Sequence, residues 1–101
     1  MEALNRRYRV AVVGNEPAYL GFSLAGVTES HQPKDQAEAD GLIAALMARD
    51  DVGIIAVTSS IVRGIKDRRL REAVAGSILP LVIELPEFGE KAAEDTLRML
   101  I

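Results

Sequence analysis

The sequence predicts a small doubly wound α/β fold, with a mainly parallel four-stranded sheet, helices on both faces and a C-terminal helix. Short apolar runs alternate along the chain with segments of helical length, which is the pattern of successive βαβ units. The strongest run, residues 52–58, is apolar on both faces, as in a central parallel strand. Apolar residues make up 49% of the 101 residues and aromatic residues only 4%, which indicates one aliphatic core.

The first part of the chain predicts a strand, a short helix and an edge strand. The strand covers residues 8–13 and ends at Gly14, after which Pro17 suits the first turn of a helix over residues 17–25. Gly26 is placed to end that helix. Residues 27–30 predict a second strand, which is polar enough to lie at the edge of the sheet.

The middle of the chain predicts two longer helices on either side of the central strand. Asp35 and Glu38 have the spacing of a capping box, so Asp35 is expected to begin a helix that runs to Asp50. The central strand follows over residues 52–58. Ser59 or Ser60 is then expected to cap a third helix, which stops near Gly76.

The last part predicts a fourth strand over residues 79–85 and a helix over residues 91–101. That helix carries an apolar stripe at spacings i, i+4, i+7 and i+8, formed by Ala93, Leu97, Leu100 and Ile101. The stripe could close an open face of the sheet or contact a partner. We favour partner contact, because three other helices already serve the two faces.

Right-handed crossovers between these elements lead to a doubly wound sheet with helices on both faces. Analogy with small flavodoxin-like folds predicts the strand order 2-1-3-4. The α/β domain is expected to cover residues 1–86, and residues 87–101 are expected to form a C-terminal helical segment.

Composition excludes several classes of function. The formal net charge is −3 and the isoelectric point about 5.1, whereas a nucleic-acid-binding protein normally carries a basic excess. The chain contains no cysteine, which excludes disulfides and thiolate metal sites and fits a reducing cytoplasm. The longest apolar runs are far shorter than the roughly 18 residues of a membrane helix. Membrane association is therefore expected only through a partner.

The sites that small doubly wound domains often carry are not expected here. A phosphorylatable receiver needs clustered carboxylates at the strand ends, but Glu16 stands alone there and the central strand ends in Thr58 and Ser59. Gly14, Gly21 and Gly26 do not have the spacing of a dinucleotide fingerprint, and the chain has no P-loop lysine motif. The sequence therefore predicts no catalytic residue, no metal site and no cofactor.

Other polar residues have ordinary interpretations. His31 is the single histidine and is expected in a solvated loop, while Ser59 and Ser60 lack the surroundings of a nucleophile elbow. The third helix carries a basic cluster, which is either an exposed face or a docking surface for an acidic partner. The members of this cluster are Arg63, Lys66, Arg68, Arg69 and Arg71.

Three blocks together resemble the F subunits of the V-type and archaeal-type rotary ATPases. The first is the strand ending at Gly14, followed by a Gly-Phe-x-Leu-Ala-Gly segment over residues 21–26. The second is the central strand, introduced by Asp51 and ended by Thr58. The third, residues 79–86, is an apolar run that contains Glu84 and is bracketed by two prolines. In the first block, Gly21 and its small neighbours could instead serve only to bring the helix close to the sheet, with Phe22 in the core.

The resemblance implies a non-catalytic component of the central stalk, or rotor, with no cofactor. Its implied partners are the coiled-coil D subunit of the stalk and the catalytic A/B hexamer, in the soluble V1/A1 sector on the cytoplasmic side of the membrane. The implied role is to couple ATP synthesis or hydrolysis to proton or sodium transport. Candidate partner-binding residues are Phe22, Arg63, Lys66, Leu97, Leu100 and Ile101. The alternative is a receiver-like or ligand-binding regulatory α/β module.

Overall fold

The structure, a computed structural model, describes residues 8–87. These residues form one parallel sheet in the order β2-β1-β3-β4, so the predicted strand order is confirmed. The strands are β1 (Arg9–Val13), β2 (Glu29–His31), β3 (Val52–Thr58) and β4 (Leu81–Leu85). The helices are α1 (Glu16–Leu24), α2 (Gln36–Met47), α3 (Ser59–Gly64) and α4 (Arg68–Gly76).

One face of the sheet carries the main core. Side chains alternate along a strand, so Ala11 and Val13 of β1 share this face with Ile55 and Val57 of β3. All four are fully buried against α2. The contacts from α2 come from Ala39, Ile43 and Leu46, which recur at helical spacing. Parts of α3 and α4 pack against the same cluster.

The opposite face is covered on one half only. Ala18 of α1 is buried, as are Val12 and Ala56 of the two central strands, whose side chains alternate with those of the main core. Toward β4 and at the amino end of β1 the cover ends, and apolar side chains of this face are partly exposed. Val10 is 41% exposed, Leu81 48% and Ile83 40%.

Side chains cap the first two helices, and the predicted cap at Asp35 is confirmed. Asn15 Oδ1 accepts from the backbone N–H of Ala18 at 3.4 Å and begins α1, and Asp35 Oδ1 accepts from that of Glu38 at 2.8 Å and begins α2. Gly26 follows α1 with φ of 101°, a conformation that favours glycine.

Three sequence predictions are corrected. The third helix is two helices, because the extended backbone of buried Ile65 separates them and Asp67 caps the second one. No serine caps α3: its N-cap is Thr58, which makes no side-chain capping bond. His31 ends β2 rather than lying in a loop. The predicted helix over residues 91–101 lies outside the described residues.

Between Tyr8 and Glu87 the chain has no helix with the length and apolar character needed to cross a bilayer.

Candidate functional site

The carboxyl edge of β1 and β3 is where a doubly wound sheet usually binds a ligand. The two strands are neighbours, and the helices that follow them, α1 and α3, lie on opposite faces of the sheet. Because the chain leaves the two strands toward opposite faces of the sheet, a crevice opens between the strand ends. The residues that follow the strands therefore decide whether this domain can hold a ligand there.

This crevice is narrowed by the protein's own atoms. Thr58 Oγ1, fully buried at the end of β3, accepts from the backbone N–H of Asn15 at 3.1 Å. A Cβ on Gly14 would lie only 2.8 Å from Thr58 Oγ1 and 2.8 Å from Ala18 Cβ. The backbone after β1 thus approaches β3 more closely than any residue with a side chain would allow.

Ser59, considered above as a nucleophile, is part of a hydrogen-bond chain. Its hydroxyl donates to Glu84 Oε1 at 2.7 Å and accepts from Arg63 Nη1 at 2.7 Å. Its hydrogen is therefore engaged by a carboxylate, while His31 lies at the end of edge strand β2, on the far side of β1. The arrangement holds α3 against β4 and is not that of a Ser-His pair.

The carboxylate of Glu87 joins the N-cap of α1 to the first turn of α3. Glu87 Oε1 accepts from the backbone N–H of Ser60 at 2.6 Å, and Oε2 accepts from Asn15 Nδ2 at 3.3 Å. Arg63 Nη2 lies 4.0 Å from Oε1. Glu16 is exposed in the first turn of α1, and residues 8–87 contain no group of three His, Cys, Asp or Glu side chains placed to hold a metal.

The amino edge of the sheet carries a separate ion-pair network around Arg49. Its guanidinium donates to both oxygens of Glu29, at 3.0 and 3.1 Å, and to both oxygens of Asp51, at 2.7 and 2.9 Å. These hydrogen bonds lower the pKa of both carboxyl groups and raise the pKa of Arg49. Because Glu29 begins β2 and Asp51 precedes β3, the network joins the strand starts and has a structural role.

Phe22 lines an apolar groove along α1. The groove encloses about 310 Å³ between Pro17, Ala18, Gly21, Phe22 and Ala25. Among residues 8–87, a Cβ on Gly21 would meet nothing within 4 Å, so the interpretation of Gly21 as a close-approach residue against the sheet is wrong. Phe22 itself is half-buried, so it is not the core residue that this interpretation required.

The other candidate partner residues lie elsewhere. Arg63 lies in the last turn of α3 and Lys66 is exposed in the loop before α4, on the face of the sheet opposite to α1. Phe22 and these two basic residues therefore do not form one contiguous surface. Leu97, Leu100 and Ile101 lie outside the described residues.

A second cavity, of about 250 Å³, lies between β4 and α4. Its charged residues are engaged within the chain: Arg71 Nη2 donates to the carbonyl oxygen of Ile65 at 2.8 Å, and Glu84 accepts from Ser59. The apolar lining consists of Val62, Ile65, Val74, Ala75 and Val82.

Sequence reasoning missed two features of this surface. It did not single out Glu87, which follows Pro86 at the start of an acidic stretch. It allowed for an open face of the sheet but did not identify its residues, which are the partly exposed apolar patch of Val10, Leu81 and Ile83, hereafter the open sheet face. A signal for the second was present, because β4 is apolar at alternate positions that a single short helix could not cover.

Comparisons with known proteins extend over almost the whole chain. A family model described as "ATP synthase (F/14-kDa) subunit" matches residues 10–101. The F subunit of the A-type ATP synthase of Methanothermobacter thermautotrophicus is 37% identical over 94 residues, covering 91% of this chain and 87% of the relative. That of Pyrococcus furiosus is 31% identical over 102 residues, covering 92% and 89%. A crystal structure of the F subunit of the V-type ATP synthase from Archaeoglobus fulgidus shares the fold, with a TM-score of 0.71, 23% identity, and coverage of 78% of this chain and 98% of that one.

Proposed function

The chain belongs to the family of ATP synthase (F/14-kDa) subunits, and on that premise we propose that it is a non-catalytic central-stalk component of a rotary A/V-type ATP synthase. In this proposal it binds the coiled-coil D subunit and turns with it inside the catalytic A/B hexamer. It thereby helps to couple ATP synthesis or hydrolysis to proton or sodium transport. It works in the cytoplasmic A1/V1 sector and is held at the membrane through the complex.

The open sheet face is the observation that carries the proposal. Val10, Leu81 and Ile83 are each at least 40% exposed on a sheet whose other face is packed against helices. The groove beside Phe22 lies on α1, which covers the adjoining half of the same face. A surface of this kind suits a long helix that presents an apolar stripe, such as a helix of a coiled-coil partner.

A rotor component also needs no chemistry of its own, which fits the carboxyl edge. There the polar side chains are hydrogen-bonded within the chain: Thr58 accepts from the backbone of Asn15, Ser59 donates to Glu84, and Glu87 accepts from the Asn15 side chain and the Ser60 backbone. The alternative of a regulatory ligand-binding module has no observation of this kind in its favour.

Co-expression with the D subunit encoded in the same genome tests the proposal. We expect a one-to-one complex that elutes as a single peak in size-exclusion chromatography at micromolar protein concentration. Two separate peaks under these conditions would contradict the proposal.

Three variants distinguish the candidate surfaces. Ile83→Glu places a charge on the open sheet face and should weaken the complex about ten- to hundredfold, because a buried aliphatic side chain contributes about 1.5–3 kcal/mol. Ala44→Glu, on the exposed side of α2, is the matched control and should leave binding unchanged. In the same assay, Lys66→Glu tests whether the basic cluster contributes to binding.

Residues 87–101 are proposed as a second, partner-facing element, and Leu97→Asp tests them. This change should weaken assembly while the isolated chain keeps most of its melting temperature. A melting temperature many degrees lower would instead place Leu97 in the core of the domain.

A further inference from the structure

The cavity between α4 and β4 lies on the main-core face of the sheet, opposite to the open sheet face. Val82 lines it and packs against the main core, whereas Leu81 and Ile83, its neighbours along β4, are partly exposed on the other face. The cavity has a volume of about 250 Å³ and mostly aliphatic walls, with Arg71 and Glu84 as its charged lining residues. Its size and its walls suit one large aliphatic side chain from outside the domain.

Arg71 is held in position beside this cavity and has donors left over. Its Nε and Nη2 both donate to the carbonyl oxygen of Ile65, at 3.2 and 2.8 Å. A guanidinium carries five N–H groups, and within residues 8–87 no other acceptor bonds Arg71. The side chain is exposed, so the remaining N–H groups can donate to a carboxylate that approaches from solvent.

The chain around the cavity is positively charged. Residues 63–72 carry five basic and two acidic side chains, in a protein whose formal net charge is −3. Both acidic side chains are engaged within α4: Asp67 accepts from backbone N–H groups at the start of the helix, and Glu72 accepts from Arg68. This segment therefore attracts acidic groups of another molecule.

The carboxylate of Glu84 does not reverse this attraction. Its Oε1 accepts from the Ser59 hydroxyl at 2.7 Å, and the same hydroxyl accepts from Arg63 Nη1 at 2.7 Å. A guanidinium therefore stands only one hydroxyl group away from Glu84 and offsets its charge.

We propose that this cavity and its basic surroundings, hereafter the α4 pocket, dock an acidic segment of another subunit of the synthase. An aliphatic side chain of that segment fills the cavity, and a neighbouring carboxylate accepts from Arg71. The chain belongs to a family of synthase subunits, so its surfaces meet other subunits. Because the α4 pocket and the open sheet face lie on opposite sides of β4, the two can be occupied at the same time. The inference does not depend on binding of the D subunit.

Nuclear magnetic resonance of the full-length, ¹⁵N-labelled chain, titrated with short synthetic peptides, tests the α4 pocket. A peptide with a central leucine flanked by glutamates should shift the amide signals of Val74 and Val82. Replacing the leucine by alanine should weaken binding about tenfold or more, because no large aliphatic side chain then enters the cavity. Replacing the glutamates by lysines should abolish the shifts.

Ala75→Glu is the informative variant, and Ala73→Glu is its matched control. Both alanines are exposed on α4, so both variants should fold, but it is Ala75 that lines the cavity. Ala75→Glu should weaken binding of the leucine peptide about tenfold, whereas Ala73→Glu, with the same change in charge, should stay within about twofold of the parent. Equal weakening by both variants, or equal binding of the leucine and alanine peptides, would overturn the pocket and leave only general charge attraction. Unmoved signals of Val74 and Val82 in the leucine titration would overturn the docking itself.

Discussion

Gly14 illustrates how strongly one residue at the end of β1 depends on its neighbours. The Ala18 methyl group and Thr58 Oγ1 occupy the space on either side of its Cα, one from α1 and the other from β3. Because Gly14 has no side chain, the two central strands can end side by side. Their close approach also leaves no room at this point for a ligand.

Gly14→Ala should therefore lower the free energy of unfolding by about 1–3 kcal/mol, the usual cost of overpacking a well-filled site. Urea unfolding followed by circular dichroism measures the change. Gly41→Ala is the matched control: in the described part of the chain a Cβ there meets nothing within 4 Å, and the residue lies inside α2. Alanine should stabilise that helix by about 0.5–1 kcal/mol. Equal effects at the two glycines would show that space at Gly14 is not the deciding factor.

Among the elements, the helices differ in how far residues nearby in the sequence determine where each helix begins and ends. Asp35 and its bond to the Glu38 amide begin α2 where the sequence predicted. The break between α3 and α4 is different. It depends on Ile65, whose side chain is 1% exposed within the core cluster, so burial rather than helix propensity decides its extended backbone. A sequence signal for the break is that the apolar residues of this region, Ile61, Ile65, Leu70 and Val74, fit a helical stripe imperfectly.

Asp35→Ala should cost about 0.5–2 kcal/mol of stability, because it leaves an N–H group at the start of α2 without its acceptor. Asp35→Asn keeps an oxygen at the same place and should restore most of that loss. Thermal unfolding of the three proteins, followed by circular dichroism, measures the difference. An Asn variant as unstable as the Ala variant would mean that charge, not capping, stabilises this helix.

At the scale of the whole molecule, the Arg49 network adds connections at the amino edge of the sheet that strand pairing does not provide. Glu29 belongs to a strand of only three residues, and Arg49 connects it to the end of α2 and the start of β3. Arg9 extends the network to β1, with its Nε 3.4 Å from Asp51 Oδ2.

The network predicts a pH dependence whose sign follows from the lowered pKa values of Glu29 and Asp51. Their contribution to stability is complete above the ordinary values of 4.5 and 3.8, and it is lost as the pH falls through the lower folded-state values. Arg49→Met should therefore lower the melting temperature by a few degrees at neutral pH. Its difference from the parent should shrink in acid. A difference that stays constant down to acid pH would contradict the assignment.

The molecule as a whole should not bind nucleotide. Its carboxyl edge is occupied by bonded side chains, and the chain contains no P-loop motif. Isothermal calorimetry with ATP should give no saturable heat, and no phosphate should be released on incubation. A dissociation constant in the micromolar range would contradict this prediction.

The sequence by itself determined the element types, the strand order and the capping of α2. The element types and the cap follow from periodicity and capping spacing, which act over a few residues. The strand order follows from the handedness of crossovers together with the analogy to flavodoxin-like domains. The family could also be predicted, from three short blocks whose spacing matched. Residue pairs such as Asp35 and Glu38 are close enough in sequence for their contact to be predicted from their spacing alone.

Only the tertiary structure decided which side chains meet at the carboxyl edge and which part of the sheet stays uncovered. Glu87 contacts Asn15 because β4 and β1 end at the same edge of the sheet, with β3 between them. The contact therefore depends on the register of all three strands. The open sheet face likewise depends on where α1 lies across the strands. Ile83 and Val12 both have aliphatic side chains, yet Val12 is fully buried and Ile83 is 40% exposed. Local patterns carry no information about such packing, because it is set by elements far apart in the chain.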